Sequence, residues 1–224
     1  PLSDEGWKID FLSGNENQLM IMEKKGRILY VINSQVVIMK QNGKRMEHLV
    51  LGANNLPQNM PLEDTLSMAE DRGLITIALN PYADGKFPVP PELIEKYKSR
   101  YFGMVTHHAE HALPRVLNVI HGFKEMNRTI DEKASAMAEK IGISKVAVSG
   151  AHRPTDIGTA SININGTISD KPSSLLESLG RSLKEGSFCF SRGSDYINVI
   201  SLASWYLTFH KGIKEIKKDT ALCE

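Results

Sequence analysis

Residues 147–160 read AVSGAHRPTDIGTA. The β-prone run KVAVS (145–149) leads into this stretch, and His152, Arg153 and Pro154 follow, with a Thr-Asp-Ile-Gly turn behind them. A histidine just past the C-terminal end of a strand sits where α/β proteins often place chemistry. Upstream, NRTIDEKASAMAEKIG (127–142) predicts a helix. Thr129 is a cap candidate with Glu132 three residues on, and Ile130, Ala134, Met137 and Ala138 form its apolar stripe.

Working outward, strand-like and helical runs alternate. LITIALN (74–80) and RVLNVIHG (115–122) read as strands, with VTHHAEHALP (105–114) ambiguous between its neighbours. LEDTLSMAEDRG (62–73), PELIEKYKSRYF (91–102) and SSLLESLGRSLKEG (173–186) read as helices, each ended or opened by Gly or Pro. NENQLMIMEKKG (15–26) also predicts a helix, from Leu19, Met22 and Glu23 at helical spacing. RILYVINSQVVIMK (27–40) is one strand or two broken at Asn33-Ser34, and QNGK (41–44) turns it back into RMEHLVLGA (45–53) as a hairpin. This order predicts an α/β fold with a largely parallel sheet of six or seven strands, enough for most of a barrel. The Gly/Ser-rich SRGSD (191–195) marks a boundary between a domain over 1–190 and a C-terminal extension over 191–224, whose DYINVISLASWYLTFHKGIKEIKK (195–218) predicts a long amphipathic helix.

Lys and Arg total 27 against 26 Asp and Glu, a net charge of +1, which gives no electrostatic signal for nucleic acid or a membrane surface. Cys189 and Cys223 form no paired framework, and a reducing, cytoplasmic location is expected. No apolar run approaches the roughly 20 residues of a membrane span, and PLSDEGWKID lacks a signal-peptide pattern.

The order of short motifs resembles the PHP (polymerase and histidinol phosphatase) superfamily, over residues 8 to 185. VSGAHRPTDIG resembles that family's last motif, G-S-D-A-H-R-P-x-D-I-G; EHLVLGA, LITIALNPY and KIDFLSG resemble its other strand ends. The resemblance implies a distorted (β/α)7 barrel, here without its first strand and with a C-terminal helix. It also implies a cluster of divalent metals, zinc, manganese or iron, at the strand ends, and phosphoester hydrolysis. His152 and His48 fall on ligand histidines and Asp10 on an aspartate. Elsewhere the pattern is depleted: Phe11 replaces a His, Gln35 and Asn118 replace Glu, Asn80 replaces a His and Gly150 replaces an Asp. Losing these anions removes what would offset two cations' mutual repulsion. The resemblance therefore implies a residual pocket of Asp10, Gln35, His48, Asn80, Asn118, His121, His152 and Arg153. One divalent metal, zinc or manganese, on His48 and His152 is the most this pocket would hold, and no residue is assigned a catalytic role.

Each of these residues also has a plainer reading. His152 is a metal or anion contact, or a half-buried histidine held by backbone. His48 is a ligand, or an inward-facing core residue paired with Val50 by strand alternation. His107, His108 and His111 in THHAEH place an i, i+4 His pair on one helix face, yet the order is H-H-x-E-H with no third ligand nearby, and a polar surface segment is the default. The expected function is a binding, scaffold or regulatory module that has lost the metal cluster; the alternative is a hydrolase working through a single residual metal. A second copy or another chain is expected to cover the barrel edge that a missing strand would open.

Overall fold

Two glycine turns set the first half of the chain. The structure, a computed structural model, describes residues 6, 8–12, 19–79, 81–83, 87–109, 111, 128–150, 157–165, 167–169, 171–186 and 188–190. Lys25-Gly26 and Asn42-Gly43 both adopt left-handed backbone (φ 50° and 75°, then 52° and 76°). That pair of conformations makes a two-residue turn whose twist matches the strands it joins. The first turn links β2 (Leu19–Lys24) to β3 (Arg27–Ile32), and β1 (Lys8–Leu12) completes a three-stranded antiparallel sheet, order β1-β2-β3. The second links β4 (Ser34–Gln41) to β5 (Lys44–Leu51). The break at Asn33 is the one that the sequence offered as an alternative. The helix predicted over 15–26 is corrected: residues 19–24 form β2, laddered between β1 and β3. Met20 and Met22, two residues apart, also fit one face of a strand, and pairing with two partners decides the matter.

The main sheet runs β4-β5-β6-β7-β8, with β6 over Ile75–Ala78, β7 over Gly103–His108 and β8 over Lys145–Val148. β4, β5 and β6 pair antiparallel; β6, β7 and β8 pair parallel. Helices α1 (Leu62–Asp71), α2 (Pro91–Lys96) and α3 (Arg128–Ile141) bury Leu62, Leu66, Ala69, Ile94, Met137, Ala138 and Ile141 against Val37, Met39, Met46, Val50, Ala78 and Met104 on one face. The opposite face carries Ile75, Ile77, Val105 and Val146, covered by α4 (Pro172–Lys184) through Leu176, Leu179 and Leu183. The result is a three-layer arrangement with helices on both sides of the parallel strands, as those strands require. A short antiparallel pair, β9 (Ile162–Ile164) with β10 (Phe188–Phe190), stands apart.

The (β/α)7 barrel implied by the PHP resemblance is therefore corrected. A barrel needs parallel strands that close on one another. Here the Asn42-Gly43 turn forces an antiparallel hairpin at one end of an open sheet, and the described strands fall into three separate sheets. The TIM-barrel-like description falls with it.

One edge of the main sheet is covered by the chain itself. The backbone of β4 exchanges hydrogen bonds with 58–60: Lys40 N–H to the Met60 carbonyl at 3.0 Å, Asn59 N–H to the Ile38 carbonyl at 2.6 Å, and Ile38 N–H to Gln58 Oε1 at 2.7 Å. Between β7 and β8 the approach is close. A Cβ on Gly103 would lie 2.7 Å from Val146 Cγ2 and 3.1 Å from the Ser144 carbonyl, so any larger residue there would force these neighbours to shift. Among the described residues no helix is long and apolar enough to cross a membrane. Residues 191–224, the predicted C-terminal extension, lie outside the described residues, as does the strand predicted over 115–122.

Candidate functional site

The stretch that was ambiguous by sequence builds the site. VTHH is the end of β7, and a break in register places its side chains. Val105 pairs with Val146, whereas His107 pairs with Ala147 and His108 with Val148, so the pairing shifts at Thr106. Residues two apart on a regular strand share a face, and Val105 belongs to the core under α4. The extra residue turns His107 to the face of Ala147, toward α3. Bulges re-aim side chains in this way. Beyond the strand, the N–H of His111 donates to the carbonyl of His108 at 2.8 Å, which folds His111 back onto the strand end.

Asp131, in the first turn of α3, meets these residues. His111 Nδ1 lies 2.5 Å from Asp131 Oδ1, and His107 Nδ1 lies 3.5 Å from Oδ2. The backbone N–H of His108 points at the same carboxylate, at 3.3 and 3.4 Å. The His108 ring stacks on that of His111, with centroids 4.9 Å apart and planes inclined by 29°. His111 is 1% exposed and Asp131 6%, so the contact is shielded from solvent and worth more than at a surface. A carboxylate accepts and does not donate, so His111 Nδ1 carries the hydrogen. The opposite nitrogen, Nε2, is buried and has no hydrogen-bond partner; the same holds for Thr106 Oγ1 on the bulge. A buried polar atom without a partner costs about 1–3 kcal/mol and asks for an explanation. A carboxylate that fixes one imidazole nitrogen and leaves the other free is the arrangement of an acid–base histidine.

His48 occupies a different setting. On β5 it pairs with Val37 on one side and Ala78 on the other, and it is wholly buried. Its Nε2 lies 2.9 Å from the Tyr101 hydroxyl, with ring centroids 5.0 Å apart, and its Nδ1 is unpartnered. Burial pushes the imidazole down to about 3, because an apolar core penalises the cation. Burial also raises the Tyr101 hydroxyl above the usual phenol range, with Tyr97 adding and Arg100 opposing. Both groups stay neutral across ordinary pH. His152, the other ligand that the resemblance implied, lies outside the described residues.

The other predicted pocket residues are dispersed or out of view. Gln35 sits on β4, where its amide exchanges two 2.8 Å hydrogen bonds with the backbone of Leu56. Asp10 is exposed on β1 of the three-stranded sheet. Asn80, Asn118, His121, His152 and Arg153 lie outside the described residues. His107, Asp131 and His111 supply the donor types of a zinc site, yet among the described residues no three His, Cys, Asp or Glu side chains are arranged to hold a metal ion. By sequence THHAEH is expected at the surface; in the structure His107, His108 and His111 are instead gathered around Asp131. One signal was available: Asp131 stands at i−3 and i−7 from Ala134 and Ala138, on the apolar stripe of α3, where a carboxylate needs a partner.

No family model matches this chain, and no curated protein does. Among solved structures it resembles the crystal structure of PsfC from Pseudomonas syringae PB-5123, at 17% identity and a TM-score of 0.51, covering 84% of this chain and 70% of that one. At this identity the likeness concerns the fold alone, and none of these comparisons indicates the PHP superfamily.

Proposed function

We propose that this chain is a small-molecule binding module. Its ligand is engaged at the C-terminal end of β7, with His111 as the acid–base contact and Asp131 as the group that orients it. The observation that carries the reading is the buried His111 ring, tied at Nδ1 to Asp131 at 2.5 Å and unpartnered at Nε2. Two general facts support the location. Ligands of open α/β sheets bind beyond the carboxyl ends of parallel strands, and β6, β7 and β8 are the parallel strands of this sheet. The bulge at Thr106 adds support, since such irregularities concentrate beside functional sites.

The test is a thermal-shift screen of small acids, alcohols and amines against the wild-type chain and His111→Gln. A ligand present at about a hundred times its Kd stabilises the folded state by about 2.7 kcal/mol, a rise in Tm of roughly 5–10 °C for a chain of this size. We expect at least one compound class to raise the wild-type Tm and to leave His111→Gln unmoved. Identical responses of the two proteins across the screen would contradict the proposal.

A further inference from the structure

The charges at this site define a ligand class, an inference that rests on the site reading above. Among the described residues, the groups shown against His111 are Asp131 from α3 and His108 from the end of β7, with His107 on the second oxygen of Asp131. With its imidazoles neutral, this set carries the single negative charge of Asp131. Because Nδ1 of His111 already holds a hydrogen toward Asp131 Oδ1, the next proton goes to Nε2. The imidazolium so formed is balanced by Asp131 through a charge-assisted hydrogen bond. Its new N–H then points from a nitrogen that is buried and has no acceptor. An oxyanion supplies that acceptor. The anion adds one negative charge and the proton one positive charge, so the loaded site carries the same net charge as the empty one. Burial of an unbalanced charge, the costly alternative, is avoided.

We propose that the His111 site binds a small oxyanion, a carboxylate or a tetrahedral phosphate-like group, together with one proton taken from solvent. No covalent bond changes in this step: the proton moves to His111 Nε2, and the Nε2–H donates to an oxygen of the anion. His107 stands 3.5 Å from the second oxygen of Asp131 and helps to hold that carboxylate in place.

Titration calorimetry of the full chain with acetate and with sulfate tests this, since neither anion titrates near pH 7. Measurements in PIPES and in bis-tris, which differ in ionisation enthalpy, report the protons exchanged. We expect about one proton taken up per anion, and an affinity that falls about tenfold per pH unit above the imidazole range. The favoured anion tells a planar carboxylate site from a tetrahedral one. His111→Gln is expected to lose both binding and uptake. In the wild-type protein, His111 Nε2 should gain a proton when the anion is added, a readout that does not depend on the variant's folding. Binding without proton uptake that is lost in His111→Gln would overturn the coupling and leave the site reading standing. Binding of neither anion would overturn the oxyanion class, while the compound screen still judges the site. Binding with uptake that survives in a folded His111→Gln would overturn both.

Discussion

Asp131→Asn lowers the affinity of the site for its preferred oxyanion by about tenfold to a hundredfold, the effect of losing a hydrogen bond to a charged group worth roughly 1.5–3 kcal/mol. The substitution keeps shape and removes charge. An amide next to His111 Nδ1 no longer balances an imidazolium, and it can present its N–H in place of its oxygen, which moves the ring hydrogen to Nε2. The expected signature has two parts: weaker binding near pH 7, and loss of the steep pH dependence, because the proton taken up no longer has a counter-charge. Calorimetry across pH on the variant and the wild type measures both. Equal affinity and equal pH dependence in the two proteins would show that Asp131 is a structural carboxylate only.

The second large effect is on stability in acid, and it belongs to His48. The folded chain holds this imidazole at about 3, whereas an unfolded chain holds it near 6.5. The folded state therefore favours the neutral ring. The stability tied to that preference is fully present above the unfolded value of about 6.5 and is lost as pH falls toward the folded value of about 3. Within that window the slope is about 1.4 kcal/mol per pH unit, so roughly 3 kcal/mol goes between about pH 6.5 and pH 4. Other histidines and carboxylates titrate in the same range, so the test is a difference. Denaturant unfolding of wild type and His48→Leu at several pH values should show the wild type losing stability faster by about that slope. At neutral pH the variant is weaker by about 1–3 kcal/mol, because the Tyr101 hydroxyl loses its partner. Parallel curves would mean that His48 is not buried neutral.

Much of the frame was legible in the sequence, and the reasons are local. Asn42-Gly43 specifies its own turn, Pro61 and Gly73 bracket α1, and the stripe of Ile130, Ala134, Met137 and Ala138 on α3 is buried as its spacing indicates. The errors were non-local. Residues 19–24 satisfy both a helical and a strand pattern, and only the ladders to β1 and β3 choose between them. The motif order around AVSGAHRPTDIGTA suggested a barrel, but motif order does not fix strand direction, and the antiparallel β4-β5-β6 half makes an open sheet. The site was hidden for a similar reason. His111 and Asp131 are 20 residues apart, and the bulge that turns His107 toward α3 is a property of two paired strands. Three histidines near one another looked like a solvated segment because nothing in their immediate surroundings offered a partner. A buried carboxylate on a helix stripe was the missing half of the signal.

The central claim is that Asp131 fixes the His111 ring with its hydrogen on Nδ1 and leaves Nε2 open to a ligand. Long-range proton–nitrogen NMR of the imidazole rings, assigned with His111→Gln and recorded above the titration range, reads this directly. The account predicts that His111 Nδ1 is protonated and Nε2 is not, and that Nε2 gains its proton when the oxyanion is added near pH 7. A ring protonated at Nε2 with a bare Nδ1, or one whose Nε2 does not respond to any ligand, would contradict it.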